Sequence, residues 1–226
     1  LSDVLGEQLV SVILYGPAAA EPADPSADAS LLVVCRDLRV EELDLLSPLA
    51  AAWARAGNPP PLLFTRERLA NSSDVFPIEL LDIKETHRTL YGEDVMRELP
   101  IGQENLRFQL ERGLKDRLIQ LREGYLLADG DPGRALELML RALPGFQVLL
   151  RASLRFYAVN VPPRERLAAG ELQKHVSFDL SIFDDLQGIK DAGSRPSDRE
   201  TVAALFRRYL RAAENAADLM GQLGRR

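Results

Sequence analysis

Two short apolar runs, held apart by a stretch that cannot be regular structure, constrain this chain most. Leu9-Val10-Ser11-Val12-Ile13-Leu14-Tyr15 is rich in β-branched residues and is stopped by Gly16-Pro17. Leu31-Leu32-Val33-Val34-Cys35 is a second run of the same kind. Short continuous apolar segments bounded by turn residues read as buried strands. Between them, Pro17 to Ser30 is crowded with Ala, Pro, Asp and Ser and reads as a loop.

The pattern then alternates. From Val40 to Arg55 the apolar residues Leu43, Leu46, Leu49, Ala50 and Trp53 recur at three- and four-residue spacing, an amphipathic helix ended near Gly57. Pro61-Leu62-Leu63-Phe64 reads as a third strand, and Thr65 is placed to cap a short helix through Leu69. Phe76 to Ile83 is expected as a fourth strand, with Pro77 at its entrance where a missing amide donor costs least. Strands separated by helices require crossovers and some parallel pairing.

Past Pro100 the signal is helical. A stripe at Leu106, Leu110, Leu114, Leu118, Leu121 and Leu126 predicts a helix over 103–127. Asp131-Pro132 is a capped helix start, and the strongly apolar segment that follows belongs at the centre of a bundle, with a kink expected at Pro144. Further helices are expected over 163–174 and 180–191. A last one, opened by the capping-box pattern Ser197-Asp198-Arg199-Glu200, is expected to run to Leu223. No strand signal follows residue 90. The reading is an α+β chain: a mixed sheet with flanking helices over 1–97, then an antiparallel helical bundle over 98–226.

Composition closes off several classes of function. A net charge of −6 argues against a surface built to grip nucleic acid or anionic membrane. No segment approaches the about 18 uninterrupted apolar residues of a membrane span. The single cysteine, Cys35, excludes an intrachain disulfide, and with only His87 and His175 beside it a His/Cys zinc site is excluded too. The chain opens at Leu1 without a charged-then-apolar leader pattern, and the expectation is a cytoplasmic protein.

Tyr15-Gly16-Pro17-Ala18-Ala19, a loop, then Ala27-Asp28-Ala29-Ser30-Leu31-Leu32-Val33-Val34 resembles the signature of the polymerase-β-like nucleotidyltransferases. That signature is an apolar strand, Gly-Ser, a loop, and two acids two residues apart running into a second apolar strand. The spacing has a physical reason. Acids at alternate positions of an extended segment point to one side, where they can hold two magnesium ions. The Gly-Ser turn offers backbone amides and a hydroxyl to phosphates. The run from Phe76 to Asp94 also resembles bacterial nucleotidyltransferase-domain proteins, and helical bundles follow the catalytic domain in many members of the superfamily.

The resemblance implies nucleotide contacts at Gly16, Pro17 and Ser30 and metal ligands at Asp28 and Glu79, the latter as the third acid, with Asp82 as an alternative on the opposite strand face. Two departures stand out. Ser30 occupies the position of the second acid, and a neutral hydroxyl is a poor magnesium ligand. Pro17 occupies the position of the phosphate-binding serine, and it has neither hydroxyl nor amide N–H. Even changes to groups supporting a metal commonly cost about 10–100-fold, and the loss of ligands should cost more.

The expectation is therefore a catalytically inactive or impaired nucleotidyltransferase-like protein. It would bind magnesium weakly if at all, with a nucleoside triphosphate, a protein partner or a second copy of itself as candidate partners. The alternative is a working transferase using one metal on Asp28 and Glu79 to modify a small-molecule or protein hydroxyl, with Asp82 or Glu85 as base. A ribonuclease-like helical module fits poorly, because Arg166 lies too far before His175 for the short Arg–His spacing such modules carry. Blander readings accompany each residue: Asp28 as a loop acid, Cys35 as a small core residue, His87 and His175 as surface residues. Arg207, Arg208, Arg211, Arg225 and Arg226 read as a solvated face.

Overall fold

A computed structural model describes residues 1–20, 27–157, 159, 161–162, 165–193 and 195–223. The described chain divides into two compact units, Leu1–Leu106 and Arg107–Arg226.

The first unit is built on a four-stranded sheet. The strands are β1 (Leu9–Tyr15), β2 (Ser30–Cys35), β3 (Leu62–Thr65) and β4 (His87–Gly92), in the order β3-β2-β1-β4. β1 is antiparallel to both β2 and β4, whereas β2 and β3 run parallel, so the sheet is mixed as expected. β2 reaches its parallel partner by a crossover through helix α2 (Val40–Arg55). Alternation along β1 and β2 sorts the core into two layers. Val12, Leu14, Leu31, Val33 and Cys35 pack with Leu46 of α2 and with Leu5 of a short N-terminal helix, α1 (Ser2–Leu5). Ile13, Leu32 and Val34 face the other way, onto Leu69, Leu80, Ile83, Met96 and Leu99. Cys35 is buried and free, as its setting in an apolar strand predicts. Leu69 lies on helix α3 (Arg66–Asn71), whose Arg68 N–H donates to the capping Oγ1 of Thr65 at 3.2 Å.

One element is reversed from expectation. Residues 77–85 are not a strand but a helix, α4 (Pro77–Glu85). Pro77 at the first helical position and Glu79 in the first turn favour a helix start. The buried positions are Pro77, Ile78, Leu80 and Ile83, and the three-residue spacing of Pro77, Leu80 and Ile83 suits one helical face better than a pleat. The true fourth strand begins at His87, only two residues past the end of that helix.

The second unit is a helical bundle. It holds most of α5 (Gln103–Leu127), with α6 (Pro132–Ser153), α7 (Ala168–Gln173), α8 (Ser181–Ala192) and α9 (Arg199–Leu223). α6 packs against α7, α8 and α9, which puts the most apolar helix at the centre. α5 and α9 are antiparallel: Arg122 bridges Glu214 at 2.6 Å, and nearer the end of α5 Tyr125 stacks on Phe206. Asp131 caps α6 through the Arg134 N–H. α9 is capped by Asp198, accepting from the Thr201 N–H at 2.8 Å, one residue later than the Ser197 box predicts. The helix expected over 163–174 is shorter: a 3-10 turn, Glu165–Leu167, runs into α7, and Pro163 itself lies outside the described residues. Among the described residues no helix is long and apolar enough to cross a membrane.

Candidate functional site at the Ser30 end of the sheet

β1 ends at Tyr15, which pairs with Ser30 on one side and with His87 on the other, so the three residues form one row across the sheet. Tyr15 shares the face of Ile13 and packs against that core layer. Its phenol lies beside the Ser30 side chain. Burial pushes the phenol above its ordinary range, and the Ser30 side chain opposes that shift without cancelling it.

The chain leaves β1 through Gly16, at φ 76°, a left-handed conformation that glycine adopts without steric cost. Pro17 then heads a single 3-10 turn, Pro17–Ala19. Three of the four backbone N–H groups of this bend are already committed. Gly16 N–H donates to the Thr86 carbonyl at 3.3 Å, Ala19 N–H to Gly16 at 2.9 Å and Ala20 N–H to Pro17 at 3.4 Å. Pro17 has no N–H to give. Of the five residues from Gly16 to Ala20, four therefore present no amide to a ligand.

Asp28 stands two residues before Ser30 and is exposed. Between them, the Ala29 N–H donates to Asn58 Oδ1 at 2.9 Å, while Asn58 Nδ2 reaches back to the Trp53 carbonyl at 3.5 Å. The end of α2 thus fixes the approach to β2. The preceding loop residues 21–26 lie outside the described residues.

Glu79 is exposed and belongs to the first turn of α4, not to a strand beside Asp28. Asp82, expected across a strand from Glu79, is its i+3 neighbour on the helix, so the two acids share a flank. Glu85 closes the same helix. Among the described residues, no three His, Cys, Asp or Glu side chains gather closely enough to hold one metal ion.

His87 is the residue that the sequence undervalued. Expected on the surface, its side chain is only 14% exposed and is held at both ring nitrogens. Nδ1 lies 3.0 Å from the Lys84 carbonyl and Nε2 lies 3.0 Å from Asp94 Oδ1. Asp94 also accepts from the Arg97 N–H at 3.1 Å, and Lys84 Nζ donates to the Leu99 carbonyl at 2.7 Å. These bonds anchor the segment that delivers Met96 and Leu99 to the core. The one advance signal was the β-branched and aromatic pattern of Thr86-His87-Arg88-Thr89-Leu90-Tyr91 before Gly92. His175 is exposed as expected and stacks on Tyr157.

No protein-family model matches the chain, and no curated relative matches it. Among solved structures it is similar to the spectinomycin adenyltransferase AAD(9) from Enterococcus faecialis, crystallised with ATP and spectinomycin. The two are 13% identical, at a TM-score of 0.48, over 92% of this chain and 94% of the other.

Proposed function

We propose that this is a nucleotidyltransferase-like protein whose transfer chemistry is lost or strongly impaired, and that it acts by binding, either weakly to a nucleotide or to a protein partner. The observation that carries the reading is the state of the bend after β1. Phosphate cradles work because several backbone N–H groups point at one anion. Here three of those groups are turned onto carbonyls and the fourth position is a proline.

The acidic arm is weakened in the same way. Ser30 sits where a second carboxylate would complete a magnesium pair, and its neutral hydroxyl lies beside the Tyr15 phenol. Among the described residues that leaves Asp28 as the one acid on the β2 approach, with Glu79 carried on a separate helix. This donor set does not fit a two-ion centre, and it supports at most a weak single magnesium site.

Calorimetric titration of the intact chain with each nucleoside triphosphate, with and without magnesium, tests the reading. Weak or undetectable binding and no nucleotidyl transfer are expected. Tight metal-dependent binding accompanied by transfer to any hydroxyl acceptor would overturn it. Loss of that activity in Asp28→Ala would then establish one-metal transfer instead.

A further inference from the structure

The far end of the same sheet carries a basic cleft. β2 and β3 are parallel neighbours with Cys35 opposite Thr65, so the residues that follow, Arg36 and Arg66, leave the sheet at adjacent points. The Arg36 N–H donates to the Gln8 carbonyl at 2.8 Å, which fixes the point where this arginine departs. α3 then adds Arg68. Together with Phe64, Asn71 and Ser72 the three arginines line a cleft of about 980 Å³.

Most acids here are already matched. Asp37 is bound by Arg39 at 2.6 Å, and Glu93 is bound by Arg66. Arg36 and Arg68 have no acid partner among the described residues, and the unmatched acid on the rim is Glu67. Two guanidinium groups left over in one concavity repel each other until an anion enters, and their planar donor forks suit oxyanions. In sheets with parallel strands, ligands collect outside the carboxyl ends of those strands, and this cleft opens there.

We infer that this cleft binds a small phosphorylated molecule through Arg36 and Arg68, at the end of the sheet opposite Gly16 and Ser30. The inference goes beyond the proposed function and does not depend on it. Three arginines in a bounded cleft, on a chain of net charge −6, suit a compact phosphate group rather than a nucleic-acid backbone.

Titration of the intact protein with inorganic pyrophosphate, followed by calorimetry, is the test, repeated on Arg36→Ala/Arg68→Ala and on Asp28→Ala. Saturable binding is expected in the parent chain, weakened about tenfold or more in the double arginine variant and unchanged in Asp28→Ala. Both arginines are exposed, so the thermal midpoint of the double variant should match the parent and separate lost binding from lost folding. No saturable binding would overturn the inference. So would binding that Asp28→Ala abolishes and the arginine variant keeps, or capture of an RNA oligonucleotide without any pyrophosphate binding.

Discussion

Tyr15 and Ser30 face each other across the β1–β2 pair, and the phenol of one lies beside the hydroxyl of the other. That neutral hydroxyl stands at the position where a magnesium-binding acid would be needed. Ser30→Asp alone would set a carboxylate against the phenol while leaving Pro17 without donors. It should give no saturable binding of magnesium–ATP. Pro17→Ser together with Ser30→Asp restores a hydroxyl, an amide N–H and an acid at once, and should bind magnesium–ATP at least about tenfold tighter than either single variant. Calorimetry on the three variants decides the matter. A single Ser30→Asp chain that binds as well as the double would show that the bend is not limiting.

Gly92 closes β4 opposite Ser11 at φ 72°. A Cβ built there would lie 2.0 Å from the backbone carbonyl oxygen of Val10, and backbone cannot swing aside as a side chain can. Gly92→Ala combines that collision with left-handed strain, so a loss of about 3 kcal/mol or more is expected. Urea denaturation measures it. Gly16→Ala is the informative control: it shares the positive φ, but nothing lies within 4 Å of its added carbon, so strain alone should act there and the loss should be smaller.

Much of the first unit was legible because apolar periodicity and punctuation agreed. Leu9–Tyr15 and Leu31–Cys35 are continuous apolar runs with turn residues at their ends, and Thr65 sits directly before the helix it caps. The stretch from 76 to 92 departs from its sequence pattern because both of its elements are atypical. Phe76 to Ile83 is too short and too uniformly apolar for period alone to separate helix from strand, and Pro77 with Glu79 was the better guide. β4 is an edge strand with Leu90 and Tyr91 exposed, so it lacks the apolar run that marks its neighbours. The consequence reached the site. Without β4 in place, nothing in the sequence could reveal that the Thr86 carbonyl takes the Gly16 N–H. The contact of His87 with Asp94, seven residues away across a bend, was hidden for the same reason.

Asp94 makes the unit sensitive to acid. Burial tends to raise its carboxyl, but the His87 side chain and the Arg97 and Met96 N–H groups outweigh that, and the net shift is below the ordinary aspartate range. A carboxyl depressed in the folded state takes up its proton first in the unfolded chain. Its contribution is therefore complete above about pH 4 and is lost as pH falls through the lower folded value. With 39% of the Asp94 side chain exposed, solvent limits the contribution to about 1 kcal/mol or less. Asp94→Asn should reduce stability at neutral pH by that amount and flatten the acid limb of the stability curve, read by urea denaturation between about pH 2 and pH 6. An unchanged slope would show that the carboxylate contributes nothing to the fold.

Tyr209 lies wholly inside the bundle, edge-on to Phe146 at 5.4 Å and to Phe183 at 5.2 Å. Its hydroxyl has no hydrogen-bond partner among the described residues, and burial drives the phenol far above its ordinary range despite the opposing charge of Arg117. The ring stabilises the core while the oxygen opposes it, and the two effects separate by substitution. Tyr209→Phe keeps the edge contacts and removes the unsatisfied group, so a gain of up to about 1 kcal/mol is expected. In a chain of this size that corresponds to a rise of about 2–4 °C in the thermal midpoint. Tyr209→Ala opens a cavity and should cost about 3–5 kcal/mol. If the phenylalanine variant instead loses stability, the hydroxyl has a partner that holds it in the folded protein, and the aromatic cluster is then not the sole reason for a tyrosine at this position.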